Sequence, residues 1–208
     1  MAGVSADAVE RPAALRSVDS AASVLYDRSM SVFTNSAARS LEEAGAYTTA
    51  ILDLLGARDP FDVLPRTPDA VRAAVAGWSE QQLSQREAPG KWSIRHVVRH
   101  LADGDLVWGY RMRMVLAQDR PPITGYDQDQ WADRLHYGQA DVATALDEFA
   151  VLRRSNLRLI GAATAADMQR VGVHSERGEE SVAHMIRMYA GHDLLHLAQL
   201  DRIRAVVA

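Results

Sequence analysis

Met185-Ile-Arg-Met-Tyr-Ala-Gly-His-Asp-Leu-Leu-His-Leu-Ala-Gln-Leu200 sets two histidines, His192 and His196, four residues apart among apolar residues that recur at helical spacing. On a helix at about 100° per residue, Val182, Met185, Tyr189, Leu200 and Ile203 fall on one stripe, and both histidines project from its middle. An imidazole in an apolar face costs roughly 1–3 kcal/mol unless its ring nitrogens find partners. One such histidine reads as a core residue bonded to a neighbouring helix. A pair at i and i+4 aims two nitrogens at one point, as helical zinc-binding pairs do, and predicts metal ligands.

A divalent ion usually takes a third protein ligand, which another helix must supply. In Ser93-Ile-Arg-His-Val-Val-Arg-His-Leu-Ala-Asp-Gly-Asp-Leu-Val-Trp108 the apolar stripe runs through Ile94, Val97, Leu101 and Trp108, then Met112 and Val115. His100 lies at its edge and is the candidate third ligand. His96 precedes it by four but points almost opposite the stripe, so it is expected in solvent. His184 likewise points away from the stripe of His192. His136 and His174 fall in expected loops and are read as surface residues, with His174 placed to fold over the site.

The chain has 208 residues, 48% hydrophobic and 24% charged, which suits one globular domain with a substantial core. A net charge of −4 without a Lys/Arg run predicts no nucleic acid and no membrane surface as partner. No apolar run reaches the roughly 20 residues of a membrane span, and the first 20 residues lack a basic start followed by an apolar block. A cytoplasmic protein is expected. With no cysteine, disulfides, thiolate ligands and a protein thiol nucleophile are excluded. Thiol chemistry would need a thiol cosubstrate. Serine-hydrolase and phosphate-loop signatures are missing as well.

Residues 1–35, rich in Ala and Ser, read as an N-terminal arm, partly disordered, weakly helical or docked on a partner subunit. Residues 36–208 read as the bundle domain. A first helix spans about 37–55, with Leu41, Ala44, Ile51 and Leu55 on one face and Gly56 and Pro60 beyond its end. Thr67-Pro68-Asp69 is read as an N-cap with proline at the first helical position, opening a helix through Val71, Val75 and Trp78. Ser93 caps a long helix to about Ala117. Residues 118–138 are too broken for one regular element and long enough to let the flanking helices lie parallel. Asp141 opens a helix with Val142, Leu146, Phe149, Leu152 and Ile160 on its face, and a loop at 170–180 leads to a last helix beginning at Ser181. No run alternates with a strand period, so the fold expected is all-α: a four-helix bundle with a long crossover loop and an N-terminal helical extension.

Pro89-Gly-Lys-Trp-Ser-Ile, His100-Leu-Ala-Asp103, Tyr110-Arg111, Pro122, Tyr126-Asp-Gln-Asp-Gln-Trp131 and Gly191-His-Asp-Leu-Leu-His196 occur in this order. Together they resemble the DinB/YfiT-like superfamily of metalloproteins over roughly residues 65–205. The resemblance implies a four-helix bundle, a homodimer and a three-histidine site for a divalent ion, Zn²⁺ first, with Ni²⁺, Mn²⁺ and Fe²⁺ as alternatives. Its metal positions match His100, His192 and His196. Members include bacillithiol- or mycothiol-dependent S-transferases and isomerases, and others named as metal-dependent hydrolases. Some have Asp-Ser-His after the first ligand where this chain has Asp103-Gly-Asp105, and the N-terminal arm is longer here.

Three neutral imidazoles leave a coordination position open, the arrangement of a catalytic site. The leading expectation is transfer of a low-molecular-weight thiol to an electrophilic small molecule. The alternatives are a hydrolase using water, or a non-catalytic, stress-associated metal-binding bundle. Asp103 and Arg111 are the candidate catalytic residues. Asp103 would orient an imidazole or accept a proton, against a solvated helix charge. Arg111 would bind an anionic substrate or thiol carboxylate, against a surface salt bridge. Trp92, Trp108 and Trp131 are read as packing anchors, and Tyr126 and Asp127 as candidates to line the mouth.

Overall fold

The computed structural model describes residues 41–207, with side chains over 44–206; the expected arm at 1–35 and the start of the domain at 36–40 lie outside them. Four long helices form the body: α1 (Leu41–Leu55), α5 (Ile94–Ala117), α7 (Val142–Gly161) and α8 (Val182–Val207). Three short helices, α2 (Pro60–Val63), α3 (Thr67–Val75) and α4 (Glu80–Ser84), link α1 to α5. Between α5 and α7 run β1 (Pro122–Ile123), α6 (Gln128–Arg134) and a 3₁₀ turn at Tyr137–Gln139. The hairpin β2 (Val171–His174) and β3 (Gly178–Ser181) leads into α8.

The helix starts follow the sequence with small shifts. Thr67 is the first residue of α3, one place inside the cap, and its hydroxyl donates back to Val63 O at 3.1 Å. Ser93 is the N-cap of α5, but its hydroxyl does not reach the helix backbone. It pairs instead with His96 Nδ1 at 2.8 Å, while Arg86 Nη2 donates to His96 Nε2 at 3.4 Å. His96 is therefore buried and committed at the helix start, not solvated.

Contacts between α5 and α7 climb both helices together: Arg99 pairs with Glu148, Arg153 with Asp105, and Arg113 with Ser155 and Asn156. The two helices are parallel, as a long crossover permits. One apolar cluster joins the start of α5 (Val97, Leu101), the start of α7 (Leu146, Phe149) and the end of α8 (Leu200, Ile203). A second joins the end of α5 (Trp108, Met112, Val115), Ile160 and the start of α8 (Val182, Met185). Between them, at Asp103 to Asp105 on α5 and His192 to Gln199 on α8, lies a polar layer through the middle of the bundle.

The expectation of helix alone needs one amendment, a three-stranded sheet in which β1 pairs with β2 in parallel and β2 with β3 antiparallel. Its strands are two to four residues long. The residues they turn inward include Gly172, His174 and Glu180, so no apolar alternation marks them in the sequence.

Candidate metal centre

His100 projects from α5, and His192 and His196 from successive turns of α8. His192 Nε2 stands 3.1 Å from His100 Nε2 and 3.1 Å from His196 Nε2, and one nitrogen from each of the three lies within 4.8 Å of the others. His100 and His196 are buried, and His192 keeps a partly exposed edge. The three rings pack at centroid distances of 4.4 to 5.2 Å, with Trp92 against His100 at 4.9 Å.

Burial holds His100 and His192 well below the usual imidazole range, and the charge each would meet on a neighbouring histidine lowers them further. Burial also lowers His196 to about 4, against the pull of its hydrogen bond to Gln199. All three rings are thus neutral near pH 7, with lone pairs free to ligate. His196 Nδ1–H donates to Gln199 Oε1 at 2.8 Å, which turns the Nε2 lone pair toward the other two histidines. His100 Nδ1 is buried and has no hydrogen-bond partner among the described residues.

This donor set fits a divalent cation. Ligand nitrogens at tetrahedral zinc distances stand about 3.4 Å apart, close to the 3.1 Å contacts seen. Two such contacts exceed what a single N–H on His192 Nε2 can satisfy. A shared cation would satisfy all three lone pairs.

Asp103 is not a solvated charge, because it is buried. It accepts from Tyr137 Oη at 2.6 Å and pairs with Arg99. These partners, rather than His100, hold it. Arg111 makes no surface salt bridge among the described residues; its Nη2 donates to Thr124 O, and its guanidinium lies 5.8 Å over the Tyr126 ring. Tyr126 packs on Trp131 at 4.4 Å, and Asp127 caps α6 by accepting from Gln130 N. Trp92 and Trp108 are buried anchors, Trp108 stacking on Tyr189 at 4.4 Å; Trp131 is half-buried. His136 is exposed in a surface cleft with Arg99 and Asp141, away from the three histidines, and His184 is half-buried. His174, expected at the surface, is buried at the end of β2.

The sequence reading missed a buried ionic cluster beside the histidines. Arg153 donates to Asp105 at 2.7 to 3.2 Å, to Asp193 at 2.5 and 3.0 Å and to Leu64 O at 2.8 Å. Asn156 Nδ2 adds a bond to Asp105 O at 2.8 Å. Burial pushes the Asp105 carboxyl up, although Arg153 opposes it. The cluster ties α7 to both helices that carry the three histidines. Its signal was present: Phe149, Arg153, Asn156 and Ile160 share one face of α7, so a charge interrupts an apolar stripe, while Leu152 is only half-buried. Gln199 was missed also, although it stands one turn after His196.

A sequence profile described as the DinB superfamily matches residues 64–200. A protein from Geobacillus thermodenitrificans named "putative metal-dependent hydrolase" is 30% identical over 139 residues, 66% of this chain and 78% of the relative. A similarly named protein from Oceanobacillus iheyensis is 28% identical over 136 residues, 65% and 78% of the two chains. Among solved structures, YfiT from Bacillus subtilis, whose description gives a four-helix bundle topology, is similar with a TM-score of 0.67 at 24% identity, over 70% of this chain and 84% of that one.

Proposed function

The chain belongs to the DinB superfamily, and from that premise we propose a metal-dependent enzyme in which His100, His192 and His196 hold one divalent cation and a small thiol is transferred to an electrophilic small molecule. The observation that carries this reading is the meeting of three neutral imidazole nitrogens beside the partly exposed edge of His192. A divalent cation bound there would lower the pKa of a thiol, or of water, in the position that the protein leaves open.

The residues around the site favour the thiol. The carboxylates nearest the histidines along the chain are already committed, Asp103 to Tyr137 and Arg99, and Asp105 and Asp193 to Arg153. A nucleophile that ionises without a neighbouring base is therefore favoured, and a thiol starts more acidic than water. Its proton leaves to solvent, its sulfur lone pair forms the new S–C bond, and the leaving group departs with its bonding pair. The three histidines would hold the cation that supplies this activation, and Gln199 holds His196 in the tautomer that could ligate it.

Hydrolysis is the second reading, favoured by the names of the relatives. Metal-loaded protein is to be assayed on a panel of electrophiles with and without added thiol, beside esters and amides without thiol. Thiol consumption that needs His192 supports transfer. Ester or amide turnover without thiol replaces transfer with hydrolysis.

A further inference from the structure

Arg111 and His174 are both tied to β1 and the residue after it, at the sheet that packs on the end of α5. Ile123 of β1 pairs with His174 of β2, and the next residue, Thr124, accepts from Arg111 Nη2. The inner face of β2 carries Gly172 and His174. A Cβ at Gly172 would lie 2.7 Å from Val115 Cγ2, and Arg111 is one helical turn before Val115. His174 follows Gly172 by two residues along the strand and so faces the Arg111 level of α5, and the Arg111 charge acts on it.

Both groups have donors to spare. His174 Nδ1 accepts from Glu176 N–H at 3.1 Å, so the proton of the neutral ring sits on Nε2. That Nε2–H is buried and has no partner among the described residues. The other charges acting on His174, Arg177 and Glu180, pair with each other at 2.5 and 3.1 Å. Among the described residues Arg111 meets a backbone oxygen and the Tyr126 face. Its charge also acts on Tyr189, whose ring lies 5.9 Å from that of His192. Tyr189 thus lies between the charge of Arg111 and the ring of His192, which is itself only half-buried.

We infer that Arg111 and His174 receive a carboxylate of the molecule whose reacting end lies at the three histidines. A guanidinium and a fixed imidazole N–H offer converging donors to the two oxygens of such a group. This inference rests on the proposed site and adds the substrate class: an acidic thiol or an acidic electrophile.

The full-length, zinc-loaded protein is titrated calorimetrically with mercaptoacetate, 2-mercaptoethanol and acetate, and zinc content and circular dichroism are checked for each variant. Mercaptoacetate is expected to bind about tenfold or more tighter than 2-mercaptoethanol. The advantage should shrink to about threefold or less in Arg111→Met and His174→Phe, and be partly kept in Arg111→Lys and His174→Gln. If neither thiol binds but acetate does, and Arg111→Met abolishes acetate binding, the carboxylate belongs to the electrophile; the inference then stands while the thiol reading fails. Equal binding of the two thiols, or a preference for the acid that both Arg111→Met and His174→Phe leave intact, overturns the inference. So does a protein that binds none of the three probes.

Discussion

Gln199 Oε1 accepts a hydrogen bond from His196 Nδ1 at 2.8 Å, one turn further along the same helix. The bond leaves His196 Nε2 as a lone pair facing His192 and His100. Removing it frees the ring to take the other tautomer. Gln199→Leu is expected to weaken zinc binding about 10- to 100-fold, the range for loss of a partner behind a metal-bound histidine. Gln199→Glu, which still accepts, should retain most of the affinity. Competition with a chromogenic chelator measures both; equal affinity of Gln199→Leu and the parent would remove Gln199 from the site.

Single alanine replacements of His100, His192 and His196 are expected to abolish near-stoichiometric metal while leaving a helical fold, because two apolar clusters on either side of the polar layer hold the bundle. Elemental mass spectrometry and circular dichroism decide. His96→Ala should keep its metal but lose stability, since it breaks the bonds to Ser93 and Arg86. Metal retained by all three ligand variants would refute the assignment.

Arg153 is the shared ion-pair partner of two carboxylates that are each 2% exposed or less. Arg153→Met should cost about 3–5 kcal/mol in denaturant unfolding, since it strands Asp105 and Asp193 as buried charges. Adding Asp105→Asn and Asp193→Asn to the same chain should recover much of the loss. A single variant as stable as the parent would mean that water reaches the cluster.

A Cβ on Gly191 would lie 2.0 Å from the Ile51 carbonyl oxygen, so α1 can pack on α8 beside His192 only over a glycine. Gly191→Ala is expected to destabilise by about 1–3 kcal/mol, because a backbone must shift. Gly45→Ala, in α1 with nothing within 4 Å of the added methyl, should instead stabilise by up to about 1 kcal/mol. Thermal melts of the two variants should move in opposite directions.

Burial and the Arg86 charge lower His96 from 6.5 to about 4, and burial with Arg177 lowers His174 to about 4. Below pH 6.5 the unfolded chain takes up protons that the folded chain refuses, so the contribution of the neutral rings to stability is whole above that pH. It falls between pH 6.5 and about 4. Denaturant melts across that window should lose stability with acid, and His96→Gln should flatten the slope. An unchanged slope would show that His96 is not held neutral.

Much of the fold was legible because its helices carry regular apolar spacing. The Val182 to Ile203 stripe, the Ser93 start and the Asp141 cap all recur in α8, α5 and α7. The hairpin was not legible, since strands of four residues facing a glycine and a histidine inward leave no period to count. His96 and Asp103 were misread for a related reason. A helix wheel gives direction on one helix and says nothing of α6 or the 3₁₀ turn, whose Tyr137 meets Asp103.

The sequence by itself determined which residues share a helix face, and therefore that His192 and His196 aim together within the core of a helical bundle. That follows from a fixed 3.6-residue turn and needs no partner. Only the tertiary structure decided that His100 comes within 3.1 Å of them and that Gln199 sets a tautomer. It also decided that Arg153 bridges two buried carboxylates and that a short sheet sets His174 beside Ile123, next to the Thr124 carbonyl that Arg111 holds. Those contacts join residues from 3 to 92 positions apart, and which side chain meets which depends on helix packing and burial rather than on local spacing.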